Sequence, residues 1–192
     1  RGHRALLQAL TAGARARSLD SCVMTFEPHP KEFFSPTEAP ARILNLRDKL
    51  TAFADIGIDR VVIERFNAAY AKLTPEQFVS EILIRRLNTK WILIGDDFCY
   101  GAKRAGDFAS LKRAGEEFGF EVSNINTVLE NQERISSSAL RSALAEGDMP
   151  KAALLLGRPY LISGHVIYGR QIGRTLGFPT LNLAVAKSPA RA

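Results

Sequence analysis

Short apolar runs of strand type alternate with helical patterns through most of this 192-residue chain, and that alternation limits its fold more than any other feature. Residues 4–17 are Ala- and Leu-rich with apolar positions at helical spacing, and the run CVMTF at 22–26 follows as a strand. Residues 46–56 repeat the helical period and close at Gly57, after which RVVIERF at 60–66 reads as a strand with a charged end. Thr74, Pro75 and Glu76 supply an N-cap, a proline for the first helical position and an acid for the first turn, so a helix is predicted to about Leu87. WILI at 91–94 is a buried strand ending at Gly95; 108–118 is helical, 120–128 extended, and 136–145 helical again with Gly147 as the stop. Strands separated by such helices predict an α/β fold, a doubly wound, mainly parallel sheet covered on both faces.

In sheets of that kind ligands collect at the carboxyl ends of the strands. Two loops are thereby singled out: Glu27-Pro28-His29-Pro30 after the strand at 22–26, and Gly95-Asp96-Asp97-Phe98 after the strand at 91–94. Beyond Gly157 the pattern changes to a β-type run, YLISGHVIY at 160–168, a Gly- and Arg-rich stretch at 169–177, and another strand-like piece through Val185. Charge changes at the same place. From Pro150 onward there are six basic residues and no Asp or Glu, whereas the preceding 149 residues hold 20 of each sign. The expected organisation is a domain at 1–149, a linker at 150–157 and an incomplete β unit at 158–192.

Composition narrows the function. The net charge of +6 and pI near 9.6 invite a nucleic-acid reading, but the balanced body lacks the basic stripe such binding needs, so no nucleic-acid partner is expected. No apolar run approaches the roughly 20 residues of a membrane span, and Cys22 and Cys99 are too isolated for a metal or redox motif; a cytoplasmic protein without a membrane partner is the expectation.

Two helix starts carry chemistry. Gly2-His3 precedes the first helical pattern, where a histidine and free backbone N–H groups can face a triphosphate; its plainer meaning is a helix-entry turn. Ser136, Ser137 and Ser138 open the helix at 136–145 with Arg141 one turn on, an anion site built from hydroxyls, the helix dipole and a guanidinium fork; its plainer meaning is a capped helix with a solvated arginine.

The strings TFEPHP (25–30), PAR to LRDKL (40–50), DRVVIERFN (59–67), IGDDFCYG (94–101), ISSSALRSAL (135–144), LLGRPY (155–160) and GRTLGFPTLN (173–182) resemble, in the same order, those of bacterial bifunctional riboflavin kinase/FAD synthetases. The resemblance implies a Rossmann-like nucleotidyltransferase domain followed by the start of a small β-barrel kinase domain, with ATP, FMN and riboflavin as small-molecule substrates and Mg²⁺ as cofactor. It implies that Gly2 and His3 end an H-x-G-H motif, and that Ser137, Ser138 and Arg141 contact phosphate. Asp97 and Phe98 would lie at the nucleotide–flavin site, and Pro28, His29 and Pro30 would form a flavin-side wall with Phe33 and Phe34 as ring partners. In the kinase segment Gly173 and Gly177 would let backbone approach ATP, and Thr180 and Asn182 would face Mg²⁺ and phosphate. The resemblance further implies that a strand and the motif's first histidine precede Arg1 and that the kinase's general-base glutamate lies beyond Ala192. The chain by itself is therefore expected to show little activity.

Overall fold

The computed structural model describes residues 2–95, 97–125, 129–130, 133–134 and 137–184; at 2, 3, 129, 130, 133 and 134 this covers the backbone only. Helix α1 (Gly2–Ala16) leads to strand β1 (Cys22–Glu27), a short helix α2 (Pro30–Phe34), helix α3 (Leu46–Ile56) and strand β2 (Arg60–Arg65). Asn45 caps α3 by accepting the Asp48 N–H, and Gly57 ends it at φ +85°, a backbone angle that glycine reaches without a Cβ penalty. β1 and β2 pair in parallel, Cys22 opposite Arg60 through Glu27 opposite Arg65. Ser21 fastens the start of the pair, donating its N–H and hydroxyl to Asp59 at 2.8 and 2.7 Å.

A second unit follows. Helix α4 (Ala68–Ala71) and the capped turn α5 (Pro75–Gln77) run into Phe78–Arg86, which is a π-helix where an α-helix is predicted. Leu87 donates its N–H five residues back to Ile82 at 3.0 Å, and the wider turn buries Phe78, Val79, Ile82 and Leu83 together. Strand β3 (Trp91–Gly95), helix α6 (Phe108–Phe118) and strand β4 (Glu121–Ile125) complete it, β3 and β4 again parallel. Leu111 of α6 is fully buried in the core shared with Ile94, Tyr100 and Phe120, and Met24 of β1 packs against the same core. Arg17, just past α1, closes the flank: its guanidinium lies 4.4 Å from the Trp91 ring centroid and forks onto Glu121 at 2.8 to 3.0 Å.

Short strands β5 (Leu129–Glu130) and β6 (Glu133–Arg134) form an antiparallel pair. Helices α7 (Ser137–Ala145) and α8 (Met149–Leu156) pack on each other through Leu140, Ala143 and Ala152. Strands β7 (His165–Ile167) and β8 (Asn182–Ala184) pair antiparallel around helix α9 (Ile172–Thr175). Their surroundings leave Tyr168, Phe178 and Leu181 exposed.

The molecule is thus mixed α/β with parallel strand pairs. The structure adds detail to these expectations. Among the described residues the parallel strands form two separate two-stranded sheets, because β1 and β3 share core side chains but exchange no ladder hydrogen bonds. Residues 150–157 lie mostly in α8: Asp148 caps it, and Pro150 sits in the first helical turn, where its missing N–H costs nothing. The β-type run at 160–168 contributes only three residues to a strand. Of the extended run at 120–128, residues 126–128 lie outside the described residues, as do Asp96 and Ser136.

Candidate active site

The last residue of β1, Glu27, is joined by a cis peptide to Pro28. His29 then caps α2, its Nδ1 accepting the Lys31 N–H at 3.2 Å, while the His29 N–H donates to Glu32 at 3.1 Å. The acceptor role of Nδ1 puts the ring proton of neutral His29 on Nε2. Partial burial pushes the imidazole pKa below its ordinary value, against the pull of the nearby Glu32 carboxylate.

Arg42 binds this turn from ten to fifteen residues away. Its Nη1 and Nη2 donate to Glu27 at 3.0 and 2.6 Å, and its Nε and Nη2 donate to Glu32. Glu32 is only 8% exposed, so this carboxylate depends on its cation. The Arg42 guanidinium holds the Glu32 carboxyl below the usual carboxylate range. Lys49 of α3 reaches the same strand, donating to the Thr25 hydroxyl at 3.2 Å, and burial draws its ammonium pKa down.

An aromatic group flanks the turn. Phe33, Phe34, Phe66, Phe26 and Tyr70 meet mostly edge to face with centroids 5.3 to 5.7 Å apart. Phe34 keeps 64% of its surface exposed, enough for a further ring to lie against it.

At the carboxyl end of β3, Asp97 and Phe98 line a cleft of about 690 Å³ with Cys99, Arg104, Asp107 and Phe108. Phe98 stacks on Tyr100 at 5.7 Å, and Tyr100 is fixed by Phe78 and by the Ser110 hydroxyl at 3.2 Å. Both Phe98 and Met24 pack on the central core, so the loops after β1 and β3 rise from one packed body.

Ser137 and Ser138 stand exposed in the first turn of α7. One turn on, Arg141 donates Nε to the Ala41 carbonyl at 2.7 Å, and burial lowers its pKa, though a guanidinium stays charged at neutral pH. Its remaining N–H donors are not used in that bond. Arg42 and Arg141 line a second cleft of about 500 Å³ with Ile43, Leu144, Tyr160 and Ile162. The segment 40–48 is held there from three sides: by Arg141, by the Tyr160 hydroxyl on the Ile43 carbonyl at 3.0 Å, and by Asn45 on the Ser163 carbonyl at 3.1 Å.

Gly2 opens α1 and places His3 in its first turn; the side chain of His3 lies outside the described residues. In the β7–β8 unit, Gly173 accepts the Phe178 N–H at 2.7 Å, and a Cβ there would meet the Phe178 carbonyl oxygen at 2.3 Å. Gly177 turns at φ +77°. The Thr180 side chain lies against Gly173 and the Asn182 side chain against Gly169.

The structure therefore joins Pro28-His29-Pro30 to Arg141 through residues 40–43, a link absent from the sequence expectations. Glu32, Arg42, Lys49 and Tyr160 were not singled out by the sequence, and Glu27 only as part of the loop after β1. Arg42, Lys49 and Tyr160 stand within the strings PAR to LRDKL and LLGRPY and Glu32 just after TFEPHP, but no linear spacing announces that Arg42 answers two carboxylates.

A parallel α/β unit with polar and aromatic groups collected where its strands end has the layout in which ligand sites of such sheets are found. The FAD synthetase family model matches residues 1–139 and the riboflavin kinase model residues 156–191. The chain belongs to the FAD synthetase family. It is 46% identical over 187 residues to a bifunctional riboflavin kinase/FMN adenylyltransferase of Escherichia coli strain K12, covering 97% of this chain and 60% of that protein. A Haemophilus influenzae protein of the same name is 41% identical over 182 residues, covering 95% and 59%. A crystal structure described as a macrolide-efflux protein from Streptococcus pneumoniae superposes with a TM-score of 0.77 at 30% identity, over 97% of this chain and 60% of that one. The chain spans about 60% of the length of the curated relatives it matches. Among the described residues no helix is long and apolar enough to cross a membrane.

Proposed function

We propose that the protein containing this chain transfers the adenylyl group of ATP to FMN, and that its complete kinase module phosphorylates riboflavin to FMN. The observation that carries the reading is the succession of the two family matches along one chain, FAD synthetase then riboflavin kinase. In adenylyl transfer an FMN phosphate oxygen attacks the α-phosphorus of ATP; the bond from that phosphorus to the β-bridging oxygen breaks and pyrophosphate leaves. Such chemistry calls for positioning and charge neutralisation rather than a protein nucleophile.

In this reading residues 1–149 are a doubly wound nucleotidyltransferase domain, 150–157 join it to the kinase module, and 158–192 begin a small β-barrel. Gly2, His3, Ser137 and Ser138 donate to the triphosphate from two helix starts, and Arg141 does so with the donors its bond to Ala41 leaves. Pro28, His29 and Pro30 wall the flavin, whose ring lies by the exposed Phe33 and Phe34. Asp97 and Phe98 border the nucleotide from the cleft after β3. In the kinase segment Gly173 and Gly177 bring backbone to ATP.

Thr180 and Asn182 suit Mg²⁺ as neutral oxygen donors to a hard cation. The ion would neutralise phosphate charge there. All substrates are small molecules and the setting is the cytoplasm.

The test is FAD formation from FMN and MgATP by the full-length protein. Product that disappears in Ser138→Ala with Arg141→Ala supports the reading. A folded full-length protein that makes no FAD and binds no FMN would overturn it.

A further inference from the structure

We infer that Arg42 is a positioning residue for adenylyl transfer, setting the Pro28-His29-Pro30 turn in register with helix α7; this rests on the function proposed above. One guanidinium spans the end of β1 and the first turn of α2, because Glu27 precedes the Pro-His-Pro turn and Glu32 follows it. A bidentate fork fixes orientation as well as distance, and here it fixes both ends of a single turn. Glu32 in turn accepts the His29 N–H, so Arg42 acts on the turn through the residue that caps α2.

The other face of the segment is anchored. The carbonyl of Ala41, one residue before Arg42, takes the Arg141 Nε donor at 2.7 Å, so the phosphate-side helix and the flavin-side turn are separated by one peptide unit and two charge-assisted contacts. A displacement of Arg42 would move the flavin wall relative to the triphosphate donors, where a shift of an ångström is costly. Nothing in this arrangement requires Arg42 to touch substrate. Its effect should fall on the flavin side of the reaction.

The experiment uses the full-length protein and compares wild type with Arg42→Lys, Arg42→Met and Glu27→Gln, with initial rates measured against FMN and ATP separately and riboflavin kinase activity as a control for folding. Arg42→Met should raise KM for FMN about tenfold or more while KM for ATP stays within about twofold, and Arg42→Lys, which can serve one carboxylate but not the fork, should fall between. Kinase activity should persist. Glu27→Gln keeps the buried Glu32–Arg42 pair, so it remains decisive if Arg42→Met fails to fold; it should raise KM for FMN by about threefold or more. Equal losses toward FMN and ATP, or no change in Glu27→Gln and Arg42→Lys, would overturn the inference while FAD formation by wild type left the function standing. No FAD from wild type would remove both.

Discussion

Tyr160 donates its hydroxyl to the Ile43 carbonyl at 3.0 Å, across 117 residues of chain. The bond fastens the segment entering the β7–β8 unit to the loop that carries Arg42, and Ser163 reinforces it by accepting from Asn45. Tyr160→Phe keeps the ring and deletes only the donor. It should cost about 1 kcal/mol in urea unfolding of the full-length protein, the usual net worth of one hydrogen bond. A loss no greater than that of an exposed Tyr168→Phe control would show that the junction does not depend on it.

Leu111 has no solvent exposure and sits between the π-helix and β3 in the central core. Leu111→Ala should destabilise the protein by about 2–5 kcal/mol, the range for a buried leucine that leaves a cavity. A lowered denaturation midpoint with an unchanged m value would mark this as a packing effect.

Gly115 lies within α6, where alanine normally gains about 1 kcal/mol of helix propensity. Here a Cβ would stand 2.4 Å from the Phe120 carbonyl oxygen, which is backbone and cannot rotate aside. Overpacking costs of about 1–3 kcal/mol therefore outweigh propensity, and Gly115→Ala should be net destabilising in thermal unfolding. Gly119→Ala probes a different penalty, since its Cβ meets open space but its φ is +76°.

Glu32 has its carboxyl pKa depressed by Arg42, so the unfolded chain binds this proton more readily than the native one. The stabilisation is present above the unfolded carboxyl value of about 4.3 and is lost as pH falls through the lower folded value. Unfolding free energy should therefore decline on acidification from about 4.3 down to the folded value more steeply in wild type than in Glu32→Gln. Coincident acid limbs would show that the pair does not link to folding.

Where caps and period agree, the fold was readable in the residues. Asn45 with Gly57 and Asp107 with Gly119 bracket helices at the expected bounds, and the apolar runs before Glu27 and Gly95 are strands. The charge shift at Pro150 says nothing of local structure, and it is Asp148 that makes this proline part of a helix start. The π-helix at Phe78–Arg86 has the same apolar residues an α-helix would have, and only its hydrogen bonds tell them apart. The placement of Ser138 in the first turn of a helix, and of His29 and Asp97 just past strand ends, was legible from the periodic pattern. The Arg42 fork was not, since charge pairing between side chains brought together by two turns leaves no periodic trace.

The parallel pairing of β1 with β2 and of β3 with β4, each over its own intervening helices, also bears on how the chain assembles. Either pair can close its ladder without first finding a strand from the other, so the loop-closure entropy is met in two modest steps rather than one long one. Each closed pair is a natural cooperative unit for opening as well. Met24, Ile94 and Phe98 belong to the one core that both pairs share, so its full packing requires both ladders.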